Sequence, residues 1–152
     1  MKIVLYQPDI AQNLGAAMRL CACFGVSLEI IEPCGFPLTS KALRRTAMDY
    51  GVTDTLIRHK SWESFVNVEE SEGNRIVLLT TKAAKPITDF TFTAKDTLLF
   101  GRESQGVPEN VHDRSDARLY IPIVKDARSF NLVSSASMAL FEGLRQTGGL
   151  PE

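Results

Sequence analysis

Three short stretches of this sequence gather residues that could hold a small ligand. One is Thr81-Lys82, directly after the apolar run Arg75 to Thr80. Another is Gly101 to Pro108, which follows Thr97 to Phe100 and places Arg102, Glu103 and Ser104 between two glycines. The last runs from Lys125 to Ser129, after Leu119 to Ile123, and leads through Asn131 into the small residues Ser134, Ser135, Ala136 and Ser137. Glycine and small side chains leave backbone N–H and C=O groups open to a close approach. Such groups suit the edge of a flat, neutral base such as adenine, while arginines at 19, 102 and 128 suit phosphate. A tightly packed corner between a strand and a helix uses the same small residues. The stretch from Leu119 to Arg145, taken alone, does not separate packing from binding.

Several familiar chemistries are excluded by spacing. Val107-Pro108 stand where a phosphate-binding P-loop requires Lys and Ser or Thr. There is no G-x-G-x-x-G and no G-x-S-x-G, so neither a dinucleotide fold nor a serine hydrolase has motif support. Cys21 and Cys23 point to nearly opposite sides of a helix, and Cys34 adds no ligand spacing. His59 and His112 have no ligand-like neighbours and read as surface or partly buried residues. No metal site is expected.

The elements that must position these residues alternate. Lys2 to Tyr6, Val26 to Ile31, Asp54 to Arg58, Arg75 to Thr80, Thr97 to Phe100 and Leu119 to Ile123 read as strands. Pro122 marks the end of the last, because it cannot donate to a ladder. A helix from Asn13 to about Phe24 carries Leu14, Ala17, Met18 and Cys21 as its apolar stripe and stops at Gly25. Gly15 and Arg19 lie four apart and share another face, which puts exposed backbone beside either a fixed cation or an ordinary solvated arginine. Thr39 or Ser40 caps a helix bearing Lys41, Leu43, Arg44, Arg45 and Met48 that Gly51 ends. Ser61 caps a helix with Trp62, Phe65 and Val66, followed by a polar turn over Glu69 to Asn74. Ala83 to Lys95 reads as irregular. Pro108 opens a short helix reaching about Asp113. The final helix places Leu132, Ala136, Ala139, Leu140 and Phe141 near one face.

Alternation of this kind predicts an α/β fold, a mostly parallel sheet with helices on both faces. Its ligand edge is where the three loops above would meet. At 152 residues the chain reads as a single domain over 1–152, with a loose tail over about 147–152. No apolar run approaches a membrane span, and the first residues are too short and strand-like for a signal peptide. An odd number of cysteines, three, fits a reducing compartment, so a cytoplasmic protein is expected. The net charge of −1 argues against nucleic-acid binding over the whole surface but allows a local patch. Lys41, Arg44, Arg45, Arg58 and Lys60 form such a set, either a track for a polyanion or a solvated face.

Taken together, Asn13-x-Gly15-x-x-x-Arg19, Phe100-Gly101-x-Glu103-x-x-Gly106-Val-Pro108, and Ile121-Pro122-Ile123 followed by Arg128-Ser129-x-Asn131 resemble the three motifs of the SPOUT ribose 2′-O-methyltransferases. The segments Ile31-Glu32-Pro33-x-Gly35-Phe36, Leu43-Arg44-Arg45-x-x-x-Asp49-Tyr50 and Thr80-Thr81-Lys82 narrow the resemblance to the minimal subfamily that methylates the wobble nucleotide of bacterial leucine tRNAs. The match runs in order along essentially the whole chain.

The resemblance implies a C-terminal deep trefoil knot, which general topology rules would not have suggested. It implies S-adenosylmethionine as cofactor, with contacts from Leu79, Gly101, Ile121 and Ser129, and with Thr80 and Ile123 nearby. It further implies a homodimer in which the partner's first motif completes the site, and tRNA as substrate. In the implied reaction a ribose 2′-oxygen attacks the sulfonium methyl, which demands alignment and loss of a proton. Arg19, Asn13, Ser129 and Asn131 would carry the catalytic step. Arg19 would hold phosphate and stabilise the developing alkoxide, since a guanidinium is a very poor base. Arg44, Arg45, Glu103 and Arg128 would serve the substrate, Glu103 by ordering the second loop. Leu14, Phe130 and Phe141 depart from the family pattern, and the last removes a hydroxyl that some relatives have. A non-catalytic RNA-binding scaffold dimer and a 2′-O-methyltransferase acting on another RNA remain as alternatives.

Overall fold

The computed structural model describes residues 1–39 and 56–152. Arg44 and Arg45, the helix expected around them and the first residues of the strand expected from Asp54 lie outside the described residues. Lys2–Tyr6 (β1), Ser27–Ile31 (β2), Ile57–His59 (β3), Arg75–Leu79 (β4), Lys85–Pro86 (β5), Asp96–Phe100 (β6) and Ala117–Tyr120 (β7) form one sheet in the order β3-β2-β1-β6-β4-β7-β5. Every pairing between these strands is parallel. The helices are Ala11–Phe24 (α1), Trp62–Glu72 (α2), Glu109–Arg114 (α3) and Leu132–Thr147 (α4).

Side chains alternate across a strand, so each central strand feeds two cores. Ile3 and Leu5 join Leu14, Ala17, Met18 and Cys21 of α1 and Ala136, Ala139 and Leu140 of α4 on one face. Val4 and Tyr6 join Trp62 and Phe65 of α2 and Val111 of α3 on the other. Burial on both faces is why β1, β4 and β6 read as nearly unbroken apolar runs. Helix ends follow local chemistry. Gly25 stops α1 in the left-handed region at φ 65°, and Ser61 and Ser64 cap α2 reciprocally, each side chain accepting the other's backbone N–H. Asn131 caps α4 by accepting from the N–H groups of Val133 and Ser134.

The structure departs from the sequence expectations in several places. α2 continues to Glu72, through residues expected to turn, because Glu69 is buried beneath the helix with partners for its charge. β7 begins at Ala117 and ends at Tyr120, so Ile121-Pro122-Ile123 leaves the sheet. Ala83 to Lys95 contains the short strand β5 and a 3-10 turn over Ile87–Asp89. Pro86 is tolerated there because β5 is a sheet edge. Gly15 is buried whereas Arg19 is exposed, so they share no open face. Phe141 is 49% exposed and stacks edge-on against Phe24 instead of joining the core face of α4. Both histidines are buried. Thr147 closes α4, and Leu150 packs against the core.

One ionic cluster lies inside the second core. The Lys2 ammonium sits 3.0 Å from a Glu29 carboxylate oxygen and also pairs with Glu69 and Glu72. His59 Nε2 is 2.6 Å from the other Glu29 oxygen, and the Thr97 hydroxyl donates to Glu69. Burial alone would lower the Lys2 ammonium, but its bonds to Glu69 and Glu29 reverse the sign and raise it. Removing the cation leaves two buried carboxylates facing each other. Lys2→Met should therefore cost about 3 kcal/mol, read as a lower urea midpoint with an unchanged slope.

Candidate active site

A cavity of about 470 Å³ opens where four neighbouring strands end. The end of β4 and the loop after it supply Leu79 and Thr80, the loop after β6 supplies Gly101, Glu103 and Gly106, and the segment after β7 supplies Ile121, Ile123, Ser129 and Asn131. These are the three loops expected from the sequence. The connection from β1 to α1 adds a fourth wall with Ile10 and Asn13. Every residue expected at the cofactor thus lines one cavity, together with three of those expected at the reacting centre.

The loop after β6 folds tightly upon itself. Arg102 and Gly106 exchange two backbone hydrogen bonds of 2.9 Å, and Gly106 takes φ 67°. A Cβ at Gly101 would lie 2.6 Å from the Gly106 carbonyl carbon, so only glycine fits. Asp9, just past β1, clamps this loop from outside. Its carboxylate accepts from Arg102 Nη2 at 3.0 Å, from the Ser104 N–H at 3.1 Å and from the Ser104 hydroxyl. The Ser104 hydroxyl bond holds the Asp9 carboxyl below its ordinary range; burial opposes it, and the Arg102 guanidinium and the Ser104 N–H add to the lowering.

Inside the clamp runs a polar relay. Glu103 accepts from the Asp9 N–H at 2.8 Å and from Asn13 Nδ2 at 2.9 Å. Asn13 Oδ1 accepts from Asn131 Nδ2 at 3.2 Å, and Asn131 Oδ1 accepts from the Val133 N–H at 2.8 Å. A carboxylate only accepts, so it turns the Asn13 amide nitrogen toward itself. That presents the Asn13 oxygen to Asn131 and leaves the Asn131 oxygen for the helix start. The hydrogens left over on both amides are donors. This pair can hold a ligand oxygen but cannot take its proton.

Arg102 was expected among the phosphate-binding arginines. It lines the cavity, but its guanidinium is committed to Asp9 and reaches Gln7 Oε1 at 3.4 Å. Arg19 is exposed on α1 and Arg128 is exposed ahead of Ser129, and neither lines the cavity. Sequence reasoning missed Asp9, Ile10 and the lining role of Phe130. For Asp9 the usable signal was a carboxylate directly after a buried strand. For Ile10 it was an apolar residue at an otherwise polar helix entry.

Residues 1–141 match the family described as the SpoU rRNA Methylase family. The chain belongs to this family. A relative from Beijerinckia indica subsp. indica, named tRNA (cytidine(34)-2'-O)-methyltransferase, is 52% identical over 97% of this chain and 92% of its own length. A solved structure described as giving structural insights into the 2-OH methylation of C/U34 on tRNA is 36% identical, with a TM-score of 0.88 over 95% of this chain and 94% of that chain. The SpoU methyltransferase AviRb from Streptomyces viridochromogenes, in complex with the cofactor AdoMet, has a TM-score of 0.85 over 96% of this chain and 60% of that one. At 21% identity this last likeness shows the SpoU fold alone. The kinship inferred from the three motifs is the one the comparisons find.

The close approach at Gly101 generates a direct test of the loop. Gly101→Ala should push the Arg102–Gly106 pairing apart and cost about 1–3 kcal/mol, seen as a lower melting temperature. Gly106→Ala, which has open space but a left-handed backbone, should cost about 1 kcal/mol.

Proposed function

We propose that this protein transfers the methyl group of S-adenosylmethionine to the ribose 2′-oxygen of the wobble nucleotide of tRNA, a cytidine or modified uridine, with leucine tRNAs among its substrates. The observation that carries this reading is 52% identity to a named wobble-nucleotide methyltransferase over nearly the full length of both chains. The cavity supports it. Open backbone at the ends of β4, β6 and β7 suits the adenine edge, and Gly101 lets a ligand lie against the chain. S-adenosylmethionine, when bound, supplies an electrophilic methyl on sulfur.

The chain's own residues divide the remaining work. Leu79, Gly101 and Ile121 hold the cofactor through their backbone, with Thr80, Ile123 and the Ser129 hydroxyl beside it. Asn13, Asn131 and Ser129 fix the ribose and the cofactor end relative to each other, which is where most of the rate enhancement arises. Glu103 sets the polarity of the two amides. Arg128, with Arg44 and Arg45, attracts the RNA backbone, and a guanidinium keeps its charge throughout.

Two further features belong to this reading. β7 follows β5 in the chain yet lies between β4 and β5 in the sheet, an insertion that supports a threaded, knotted C-terminal segment. Exposed Met138 and Phe141 on α4, with Phe24 of α1 stacked on Phe141, supply an apolar face for a second copy. Arg19 lies on α1 outside its own cavity, in keeping with service to the cavity of that second copy as phosphate anchor and alkoxide stabiliser. Among the described residues no helix is long and apolar enough to cross a membrane. A tRNA substrate and free thiols support a cytoplasmic location.

The test combines the purified protein, methyl-labelled S-adenosylmethionine and small RNA from cells lacking this gene. Label on the ribose of tRNA nucleotide 34 is expected. Arg19→Ala should lower the rate about 10²-fold or more while calorimetric affinity for S-adenosylmethionine stays within about two-fold. Label at another nucleotide would overturn the substrate, and absence of cofactor binding would overturn the enzyme.

A further inference from the structure

The cavity lining mixes polar and apolar side chains. Asn13, Asn131 and Ser129 are among the polar ones. Ile10 and Phe130, each 43% exposed, are apolar residues of the same lining. The two belong to segments far apart in sequence. Ile10 precedes α1, and Phe130 stands between Ser129 and Asn131. The hydrogen bond from Asn131 to Asn13 ties those segments together at 3.2 Å, and Ile10 and Phe130 lie within three residues of it in a shared lining. Among the described residues Phe130 stacks on no other aromatic ring. A single exposed apolar residue is ordinary on a protein surface. Two lining one cavity, beside amides suited to a sugar, match the two halves of a nucleotide.

We propose that Phe130, backed by Ile10, is the platform on which the base of the nucleotide being methylated stacks once it has left its neighbours. This rests on the reading of the protein as an RNA ribose methyltransferase and adds how the target nucleotide is held. A ribose hydroxyl can reach these amides only if its base swings clear of the stack, and an aromatic face replaces the lost stacking. A phenyl ring reads no hydrogen-bonding edge, because every base has a π face. The platform therefore accepts cytidine and uridine alike, and identity must be read elsewhere on the RNA. The cofactor has its own wall, built from the strand ends of β4, β6 and β7, and Ile10 lies on the β1 side of the cavity.

The experiment measures KM and kcat with tRNA from cells lacking this gene, alongside calorimetric affinity for S-adenosylmethionine, for the wild type, Phe130→Ala, Phe130→Tyr and Ile10→Ala. Phe130→Ala should raise KM for tRNA about ten-fold and leave cofactor affinity within about two-fold. Phe130→Tyr, which keeps the ring, should restore KM to within about two-fold of the wild type. Ile10→Ala should move KM in the same direction by less. Melting temperatures near the wild type confirm that each variant is folded. A parallel loss of cofactor affinity in Phe130→Ala would assign the ring to the cofactor and overturn the platform. An unchanged KM would overturn it as well. Failure of the underlying methyltransferase reading shows earlier and separately, as a wild type that binds cofactor but labels no tRNA.

Discussion

A strand paired in parallel cannot be reached by a tight turn, because the chain must first cross back over a face of the sheet. That constraint organises this molecule. Every strand pairing in the sheet is parallel, so all connections leaving the strands emerge at one edge. The crossover helices bury both faces, with α1 and α4 over one core and α2 and α3 over the other. The cavity lies at the edge where β1, β6, β4 and β7 end side by side.

Within that edge, ordering depends on charge placed where only hydrogen bonds can answer it. Glu103 brings a carboxylate into the gap between two loops, and Asp9 brings another from the strand next door. Each is satisfied by groups of the other's segment: the Asp9 N–H donates to Glu103, and Ser104 and Arg102 donate to Asp9. The loop after β6 is therefore held to β1 by interlocking bonds as well as by the packing of Val107 beside Val4 and Tyr6. The relay continues from Glu103 through Asn13 and Asn131 to the start of α4. Segments separated by more than a hundred positions thus share one network, which aligns a site assembled from loops that would otherwise be mobile.

Much of this was legible in the sequence because it follows from local rules. Continuous apolar runs flanked by turn residues marked the strands, and Gly25 and Ser61 marked helix ends through backbone geometry and capping. The motif residues converged because parallel topology sends them to one edge whatever the details. What was not legible depends on pairing across the fold. Glu69 looked like part of a polar turn, because its partners Lys2 and Thr97 lie on other strands. Arg102 looked like a phosphate ligand, because nothing nearby in sequence shows that Asp9 claims it. Phe141 followed the apolar period of α4 yet faces outward, because a periodic pattern does not say whether a flank meets the core or a partner.

The polarity of the relay bears on the proposed chemistry. Ribose methylation from a sulfonium needs an aligned oxygen and somewhere for one proton to go, while the electrophile itself needs little help. Asn13 and Asn131 line the cavity and keep amide hydrogens to spare, so in the proposed reaction they would orient the oxygen and favour its anionic form without accepting the proton. Glu103, the carboxylate on the relay, is already engaged at both oxygens by Asn13 and the Asp9 N–H. The guanidinium proposed to reach the site, that of Arg19 from a second copy, would stabilise an alkoxide electrostatically. On this reading the site works by positioning and by a field that favours developing negative charge. The proton then has to leave to a base outside this relay.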